Sequence, residues 1–485
     1  MVAGLGLLLL ARGIVRGKVV AWRLTLLVLL TSIGLHLLKD LDLEEASLAA
    51  WILIGLLWMR HHFQAQSDPA SVRRGLATLA AGCLLAVAYG LIGTLLLSDQ
   101  LQLESLRPLS ARAAWFLGSL PTVSAALVLL GLVQLLRPVL APAASGRERE
   151  QLRELVSRWG HNPVCYLAIY GPTSLFWTND GSCVAYSTKG GTAIALGDPI
   201  GPSELIEPAA AGFATFCDQH DWTAAFYQVE GKEPYRSLGF RLVPIGSDAI
   251  LRTADFSLQG KERAVLRNAV HRCARLGIRF VFLNAPRAWE AHSAELLEVS
   301  GSWLETGKGP ELGFSLGTLA TLRDPAITVG LAFGAENRLE AFVSWLPVPG
   351  RQGWTLDLMR RRPNGVRGLM ESLIVSSVGE AGPRGIAELS LGLAPLMIVP
   401  GDGDDLANRR LAGIYASLER FRRSRSLRQF KAKFDPVWEE RYLAVPTRAA
   451  LPEVLIALLG AHLPGVSWVS LRLSAHVPTR RRGQQ

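Results

Sequence analysis

Long apolar runs in the first part of the chain give way near residue 140 to short alternating runs. Four apolar stretches stand out: Val19–Leu38, Leu43–Met59, Gly75–Leu97 and Ala113–Leu136. A helix needs around 20 apolar residues to cross a hydrocarbon core of roughly 30 Å, so three stretches are long enough and the second requires local thinning. The shorter opening run, residues 1–15, predicts a stub of a further helix. We therefore predict a transmembrane region of four to five helices over 1–140.

Charges between these runs indicate an orientation. A basic segment, residues 12–18, precedes the first run and the acidic segment KDLDLEE follows it, while basic residues return between the second and third runs. Cytoplasmic loops carry an excess of lysine and arginine. The alternation predicts a multi-pass protein whose C-terminal part lies in the cytoplasm.

After a connector of small and charged residues, 141–151, the pattern predicts mixed α/β structure. CVAYSTKGGTAIAL indicates a hairpin with a Gly-Gly turn, followed by a helix over 208–220 and the strand TAAFYQV. AITVGLAFGAENRLEAFVSWLPV indicates a second hairpin turning at Glu336–Asn337, followed by a strand, a helix from near Gly365 and another strand. The repeated order predicts two acyltransferase-like units, which with the flanking regions gives five parts: 1–140, 141–151, 152–290, 291–450, and a C-terminal helix and basic tail over 451–485.

Charge and composition narrow the class of ligand. The 485-residue chain has a formal net charge of +10, a balance that favours polyanions such as anionic lipid surfaces or nucleic acid. Its five cysteines and nine histidines form no pattern with metal-ligand spacing. We expect a reduced compartment and no metal.

A basic stripe is predicted in the segment GKERAVLRNAVHRCARLG, residues 260–277. Arg263, Arg267, His271 and Arg275 recur every four residues, so they share one face of a helix. Like charges at this spacing repel unless an anion lies between them. The segment predicts either a row of phosphate ligands or a solvated basic surface.

The segment SLERFRRSRSLRQFKAKF, residues 417–434, interleaves basic side chains with phenylalanines. Aromatic rings stack on unpaired bases and cations bind the phosphates, so this composition suits a single-stranded nucleic-acid end or a membrane surface. Inward packing of the phenylalanines in an amphipathic helix explains the pattern equally well.

The stretch LDLMRRRPNG, residues 356–365, ends a predicted strand with one acid and three arginines. Asp357 points opposite to its leucine neighbours, near the carboxyl end of the strand. Arg367 falls in the first turn of the helix that follows, and helix N-termini attract anions. The pattern predicts either an oxyanion or phosphate site, or an ion pair between Asp357 and Arg360 or Arg361.

Several segments occur in an order that is typical of a known family. They are ALGDPIGP, YRSLGF, GKERAVLRNAVHR, WLETGKGPELGFSLG, LDLMRRRPNGVRGLMESLI and LRQFKAKFDPVWEERYLAVP. Over about residues 150–447 the chain resembles the synthase part of the bacterial phosphatidylglycerol lysyltransferases, also called multiple peptide resistance factors, here with a shortened membrane region. The resemblance implies an α-helical transmembrane region followed by an α/β part made of two tandem GNAT-like acyltransferase folds.

The resemblance also implies an activity. Members of this family move an amino acid, lysine or alanine, from aminoacyl-tRNA to phosphatidylglycerol of the inner membrane, which lowers the negative charge of that membrane and confers resistance to cationic antimicrobial peptides. The implied partners are aminoacyl-tRNA, phosphatidylglycerol and the membrane, with no cofactor. A separate flippase chain and a homo-oligomer are open alternatives.

Site residues follow by matching the family's motifs. The acid and arginine of its D-x-x-R segment match Asp357 and Arg360, and the lysine of its F-K-x-K-F segment matches Lys431. We expect these three to be catalytic. We expect a further set to bind tRNA or lipid phosphates: Arg263, Arg267, Arg275, Arg361, Arg367, Lys433, Arg441 and Tyr442.

Three other classes remain open at this point. RRPNGVRGLM comes near the pyrophosphate loop of an acetyl-CoA-dependent acyltransferase, with Arg362, Gly365 and Gly368 in place. A membrane-anchored tRNA or lipid binder without activity explains both basic segments. A peptide-crosslinking aminoacyltransferase also has a tandem fold.

Overall fold

The computed structural model divides the chain into two compact units. The first comprises Met1–Leu140 with Thr215–Trp222, and the second comprises Ala141–Ala214 with Thr223–Gln485. The residues described are 2–15, 17–38, 43–63, 65, 69–96, 111–135, 141–171, 173–307, 313–395 and 422–463. The predicted basic tail after residue 463 and the start of the 417–434 segment lie outside them.

The first unit is helical over the predicted apolar stretches. Its helices are α1 Val2–Val15, α2 Val19–Leu38, α3 Leu43–Trp58, α4 Pro69–Leu96 and α5 Ala111–Leu135. Two spans among the described residues are long and apolar enough to cross a membrane, Val19–Leu38 and Ser71–Ile92. Thr122–Leu135 within α5 is a shorter apolar helix, so two of the three expected full-length spans are found among the described residues and the third stays a prediction.

The predicted connector is partly a helix. Residues 141–145 are extended, and α6 then runs over Gly146–Trp159. Ser145 caps it: its hydroxyl accepts a hydrogen bond from the Glu148 backbone N–H, and the Glu148 carboxylate accepts one from the Ser145 N–H at 2.8 Å. This S-x-x-E capping box satisfies two backbone donors that would otherwise face water, and it is the sequence signal that our linker prediction missed.

One sheet of eleven strands organises the described part of the second unit. Its spatial order is β1-β2-β3-β4-β11-β5-β10-β9-β8-β7-β6. The strands are β1 Ser174–Trp177, β2 Cys183–Lys189, β3 Thr192–Leu196, β4 Thr223–Val229, β5 Arg241–Arg252, β6 Arg279–Asn284, β7 Thr328–Phe333, β8 Leu339–Val348, β9 Gly353–Arg361, β10 Glu388–Pro395 and β11 Val437–Val445.

Helices cover both faces of this sheet. They are α7 Ile206–Gln219, α8 Glu233–Ser237, α9 Ala264–Arg275, α10 Ala285–Gly307, α11 Leu369–Ala381, α12 Arg422–Ala432 and α13 Leu451–His462. Strand β8 shows why both faces are apolar: Phe342 and Leu346 pack into one core cluster, whereas Val343 and Trp345 pack into the other. Burial on both sides gives a strand its continuous apolar run.

The predicted repeat is present as an order of strands. In each half an antiparallel meander leads to a parallel pair, β3 with β4 and β9 with β10. Both predicted hairpin turns are confirmed: Gly190 and Gly191 have positive φ, as do Glu336 and Asn337, and positive φ at both central residues matches the twist of a two-stranded ribbon. Strands β1, β6 and β11 were not predicted.

The halves exchange their last strands. Strand β5 follows the first half in sequence but pairs with β10, and β11 follows the second half but pairs with β4. The two exchanged strands also pair with each other along most of their length. The sheet is therefore continuous across the predicted boundary at residues 290 and 291, and the division into two GNAT-like domains there stays a prediction.

Two parallel strands diverge in the second half. Strands β9 and β10 pair only as far as Thr355 and Ser390. Beyond that point β10 has a register shift against β5 between Ser390 and Leu393, with Gly392 at φ +80°. A bulge of this kind bends a strand away from its neighbour, so a gap opens at the carboxyl ends of the parallel pair.

Helix α11 begins later than predicted, and Gly368 is the reason. The residue has φ +87°, which is outside the helical range, so the helix starts at Leu369 and Arg367 precedes it. A Cβ atom on Gly368 would lie 2.8 Å from the Cβ of Ala269 on α9. A left-handed conformation and close packing together require glycine here.

We predict that Gly368→Ala destabilises the protein by about 1–3 kcal/mol, because it adds both backbone strain and a steric clash. Thermal unfolding of the full chain in detergent measures the loss. Gly379→Ala is the matched control, since Gly379 lies in the same helix with open space around it; alanine there should stabilise by about 0.5–1 kcal/mol. Equal unfolding temperatures for the two variants would contradict the prediction.

Candidate active site

A cavity of about 410 Å³ occupies the gap between β9 and β10. Its walls come from both strands, from β4, from the loop before β7 and from α12 and α13. Carboxyl ends of parallel strands are common ligand sites because the strands diverge there and leave side chains facing open space. Polar groups lining the cavity are Tyr227, Gln228, Asp248, Ser315, Thr355, Asp357, Lys431 and His462.

Asp357 enters the cavity because β9 is bulged. The register between β8 and β9 shifts between Val343 and Trp345, so Asp357 and Leu358 lie opposite the single residue Ser344. The Leu358 N–H, displaced from the ladder, donates instead to the Ser344 hydroxyl at 2.9 Å. Bulges re-aim side chains in this way, and the sequence alone gave no sign of it.

Gly317 holds the Asp357 carboxylate. The Gly317 N–H donates to Asp357 Oδ1 at 2.7 Å. A Cβ atom at position 317 would clash with the same carboxylate, so the approach is open only to glycine. The backbone of the loop before β7 thereby fixes the orientation of the acid.

Lys431 reaches the cavity from α12, and its side chain is buried. Its Nζ donates to the carbonyl oxygens of Gly392 and Leu393 at 2.7 and 2.9 Å. Both carbonyls lie at the β10 bulge, where Leu391 and Gly392 are out of register with β5. Burial lowers the pKa of Lys431 to about 8, and the negative charge of Asp248 acts in the opposite direction. The amine is therefore partly neutral near pH 8.

Arg441 belongs to a buried ion-pair network beneath the cavity. Its Nη2 lies 3.3 Å from Asp248, 3.2 Å from Glu230 and 3.1 Å from Glu439. Arg351 completes the network with two hydrogen bonds to Glu439 at 2.9 and 2.6 Å. A buried guanidinium shared among carboxylates is positioned to orient them, and the predicted role of Arg441 as a phosphate ligand stays a prediction.

Arg360 is placed apart from Asp357 and Lys431. Its guanidinium lies 3.9 Å from the ring centroid of Trp303 on α10, and it is not among the described residues that line the cavity. The two arginines that follow differ from it: Arg361 is exposed, while Arg362 is buried and hydrogen-bonded to Glu298 and to the Leu339 carbonyl oxygen. The cluster of arginines therefore divides among three environments.

The remaining residues predicted to bind phosphates fall into two groups. Some already bond to other residues of the chain, and the others are exposed to solvent. Arg263 and Arg267 donate to backbone carbonyls of Phe434 and Gly260, and Lys433 pairs with Glu371 at 2.8 Å. The Tyr442 hydroxyl donates to Glu440. Arg275 and Arg367 are exposed, as is Arg361. The predicted stripe on α9 is thus open to a ligand only toward its C-terminal end, at His271 and Arg275.

Two cavity residues stand out that the sequence did not assign. They are Ser315 and His462, to which the motif matching gave no role. Their side chains meet: Ser315 Oγ lies 2.8 Å from His462 Nε2. The pair is separated by 147 residues, so no local spacing could have predicted it.

Comparison with solved structures defines the class of protein. The chain resembles the C-terminal domain of a lysylphosphatidylglycerol synthetase from Agrobacterium fabrum, at TM-score 0.59 and 27% identity, over 67% of this chain and 99% of that one. It equally resembles L-PGS from Bacillus licheniformis, at TM-score 0.58 and 27% identity, over 66% and 97%. The C-terminal part therefore has the GNAT-like fold of this class of acyl- or aminoacyltransferases.

The family follows from the sequence of the same region. The family model described as phosphatidylglycerol lysyltransferase, C-terminal, matches residues 153–445. The chain belongs to this family, and the family prediction made from its motifs is confirmed. Helix α13, which carries His462, lies beyond the matched region.

Curated relatives are longer than this chain. An uncharacterised protein of Corynebacterium glutamicum is 28% identical over 507 residues, covering 94% of this chain and 63% of its own length. The lysylphosphatidylglycerol biosynthesis bifunctional protein LysX of Mycobacterium tuberculosis H37Rv is 28% identical over 326 residues, covering 65% of this chain and 28% of its own length. The chain thus spans 63% of the length of the first relative and 28% of the length of the second.

We predict that Lys431 titrates near pH 8 and that Asp248→Asn lowers its pKa further, since the substitution removes the negative charge that favours the ammonium. Competitive labelling with trace isotopic acetic anhydride across pH 6–11, read by peptide mass spectrometry, measures the midpoint. Ser390→Ala is the control, because it removes a hydrogen bond to Asp248 but leaves the charge. A midpoint near the ordinary lysine value of about 10.4 would contradict the assignment.

Proposed function

We propose that this protein transfers an aminoacyl group, lysyl or alanyl, from aminoacyl-tRNA to a glycerol hydroxyl of phosphatidylglycerol. The observation that carries the proposal is that Asp357 and Lys431 line one cavity although 74 positions separate them along the chain, as read from their numbers. The reaction would lower the negative charge of the bacterial inner membrane and so confer resistance to cationic antimicrobial peptides. The family of the chain supports phosphatidylglycerol as the acceptor.

The cavity supplies what the chemistry requires. An ester donor is already activated, so transfer needs a positioned acceptor hydroxyl, a proton acceptor and stabilisation of the carbonyl oxyanion. Asp357, held by Gly317, would orient the hydroxyl. Lys431 would stabilise the developing oxyanion, because a partly desolvated ammonium interacts strongly with negative charge. Arg360, which stacks on Trp303 outside the cavity, takes no direct part in this scheme.

Exposed guanidinium groups supply contacts for the tRNA. Arg275, Arg361 and Arg367 are exposed on the α/β unit. Salt-sensitive contacts with phosphates account for much of the affinity of proteins for nucleic acid. Membrane helices among α1–α5 would confine the enzyme beside its lipid acceptor and raise its effective concentration.

The contacts of the predicted pyrophosphate loop argue against the alternative of an acetyl-CoA-dependent acyltransferase. The arginine that would begin a pyrophosphate loop, Arg362, is buried against Glu298, and Gly368 packs against Ala269. A pyrophosphate would have to displace both contacts. Acetyl-CoA binding by calorimetry would revive this alternative, and tRNA or lipid binding without any product would favour a non-catalytic binder.

We expect purified full-length protein to form an aminoacyl-phosphatidylglycerol when it is supplied with lysyl- or alanyl-tRNA and phosphatidylglycerol vesicles. The mass of the product lipid identifies the amino acid. Asp357→Asn should lower kcat by about 10²-fold, because the neutral amide orients the acceptor hydroxyl less well while it keeps an oxygen for the Gly317 N–H. Full turnover by Asp357→Asn would remove this acid from the mechanism.

Gly317→Ala should reproduce much of the Asp357→Asn defect, since its methyl group displaces the carboxylate without changing any charge. Gly313→Ala is the matched control in the same loop, where an added Cβ meets open space. The kcat of each variant is measured at a temperature at which thermal unfolding shows both variants to be folded. If Gly317→Ala is as active as Gly313→Ala, the orientation of Asp357 does not matter for turnover.

Charge reversal at the exposed arginines should raise KM for aminoacyl-tRNA more than KM for the lipid. Each of Arg275→Glu, Arg361→Glu and Arg367→Glu should also reduce the salt dependence of tRNA binding, by a slope of about 1 for each phosphate that the variant no longer binds. Arg236→Glu, a reversal at an exposed arginine of α8, serves as the control. Equal effects of all four variants would indicate only a general loss of positive charge.

A further inference from the structure

Two tethers hold the loop before β7 against the end of α13. The Gly313 N–H donates to the His462 carbonyl oxygen at 3.0 Å, and Phe314 packs edge-on to the His462 ring at a centroid distance of 5.4 Å. Phe314 is buried and has φ +66°. A bulky residue rarely adopts this conformation unless the surroundings impose it. The packing around Phe314 therefore sets the backbone conformation immediately before Ser315.

Hydrogen bonding defines the tautomer of His462. Its Nδ1 lies 2.8 Å from the carbonyl oxygen of Leu458, one turn earlier in α13. A carbonyl oxygen only accepts, so Nδ1 carries the proton of the neutral ring and Nε2 offers a lone pair. The Ser315 hydroxyl, 2.8 Å from Nε2, is therefore the donor. A hydroxyl directed at an imidazole that is itself oriented by a third group is the arrangement in which side-chain hydroxyls are activated.

The pair faces the same cavity as Asp357 and Lys431. The loop connects them directly, because Ser315 lies two residues before Gly317, whose N–H binds Asp357. The Asp357 oxygen that accepts this bond is committed to an orienting contact. A reaction at this site still needs a group that accepts a proton near neutral pH, and histidine is the side chain whose ordinary pKa lies there.

Resting on the function proposed above, we propose that Ser315 and His462 are the proton-transfer pair of this site. As the lipid hydroxyl oxygen bonds to the acyl carbon of the aminoacyl ester, its proton passes to Ser315 Oγ while the Ser315 proton passes to His462 Nε2. The bond between the acyl carbon and the ribose oxygen then breaks. The proton returns from the imidazolium through Ser315 to the leaving ribose oxygen, so the pair ends in its starting state.

Other groups lie near the imidazole. Tyr227 on β4 contacts the ring edge-on at 5.6 Å and also hydrogen-bonds to the Ser315 side chain, and burial raises the pKa of this tyrosine. The charged groups of the same cavity are Asp248, Asp357 and Lys431.

The test compares the full chain with its variants in phosphatidylglycerol vesicles, using lysyl- and alanyl-tRNA as donors. His462→Gln should lower kcat by about 10²–10⁴ with KM for both substrates changed less than about threefold. It should also abolish the acidic limb of the kcat–pH profile. Ser315→Ala should lower kcat comparably, whereas Ser315→Thr, which keeps a hydroxyl, should recover most of it. His292→Gln, at a histidine paired with Glu295 on α10, is the matched control.

Each outcome decides the proposal. If His462→Gln or Ser315→Ala unfolds at a lower temperature but keeps wild-type kcat and pH profile, the contact is a structural tie and the proposal fails while the function stands. If His462→Gln does not fold, the comparison of Ser315→Ala with Ser315→Thr decides alone. An aminoacyl ester trapped on Ser315 would overturn the relay in favour of a covalent route. Absence of product from the wild type with either donor would overturn the function itself, and this inference with it.

Discussion

The divergence of β9 from β10 is the constraint on which the candidate site depends. The two strands share hydrogen bonds only up to Thr355 and Ser390, and two bulges maintain the separation beyond. One bulge directs Asp357 into the gap, and at the other lie the carbonyls of Gly392 and Leu393 that bond to Lys431. A regular parallel pair would use those same backbone groups in its ladder and leave no cavity. The site is thus built around backbone groups that do not hydrogen-bond to a neighbouring strand.

Strand exchange joins the two halves of the sheet next to the gap. Because β5 pairs with β10 and β11 pairs with β4, each half of the sheet is closed by a strand from the other half. Buried charges reinforce this junction: Asp248 on β5 and Arg441 on β11 lie 3.3 Å apart. Removing one member of a buried ion pair leaves the other charge uncompensated and costs several kcal/mol. The same Asp248 charge modulates Lys431, so the junction and the cavity are electrostatically linked.

Local pattern predicted most elements and some of the site. The hairpins at Gly190–Gly191 and Glu336–Asn337 follow from turn chemistry that acts over a few residues, and helix α2 matches its predicted apolar stretch. The start of α11 was misplaced because Gly368 packs against α9, a contact that local propensity does not contain. Motif matching identified Asp357 and Lys431, but it could not separate Arg441, enclosed by carboxylates, from Arg275, which is exposed.

The sequence by itself determined the family, the division into an apolar helical region and an α/β region, and the acid and lysine of the candidate site. These properties reside in composition, in periodicity and in motifs a few residues long. Only the tertiary structure decided that β5 and β11 change places, that a cavity lies between two diverging strands, and that Ser315 meets His462. Such contacts join residues far apart in the chain, and their geometry is set by packing and strand register, which no local pattern of side chains encodes.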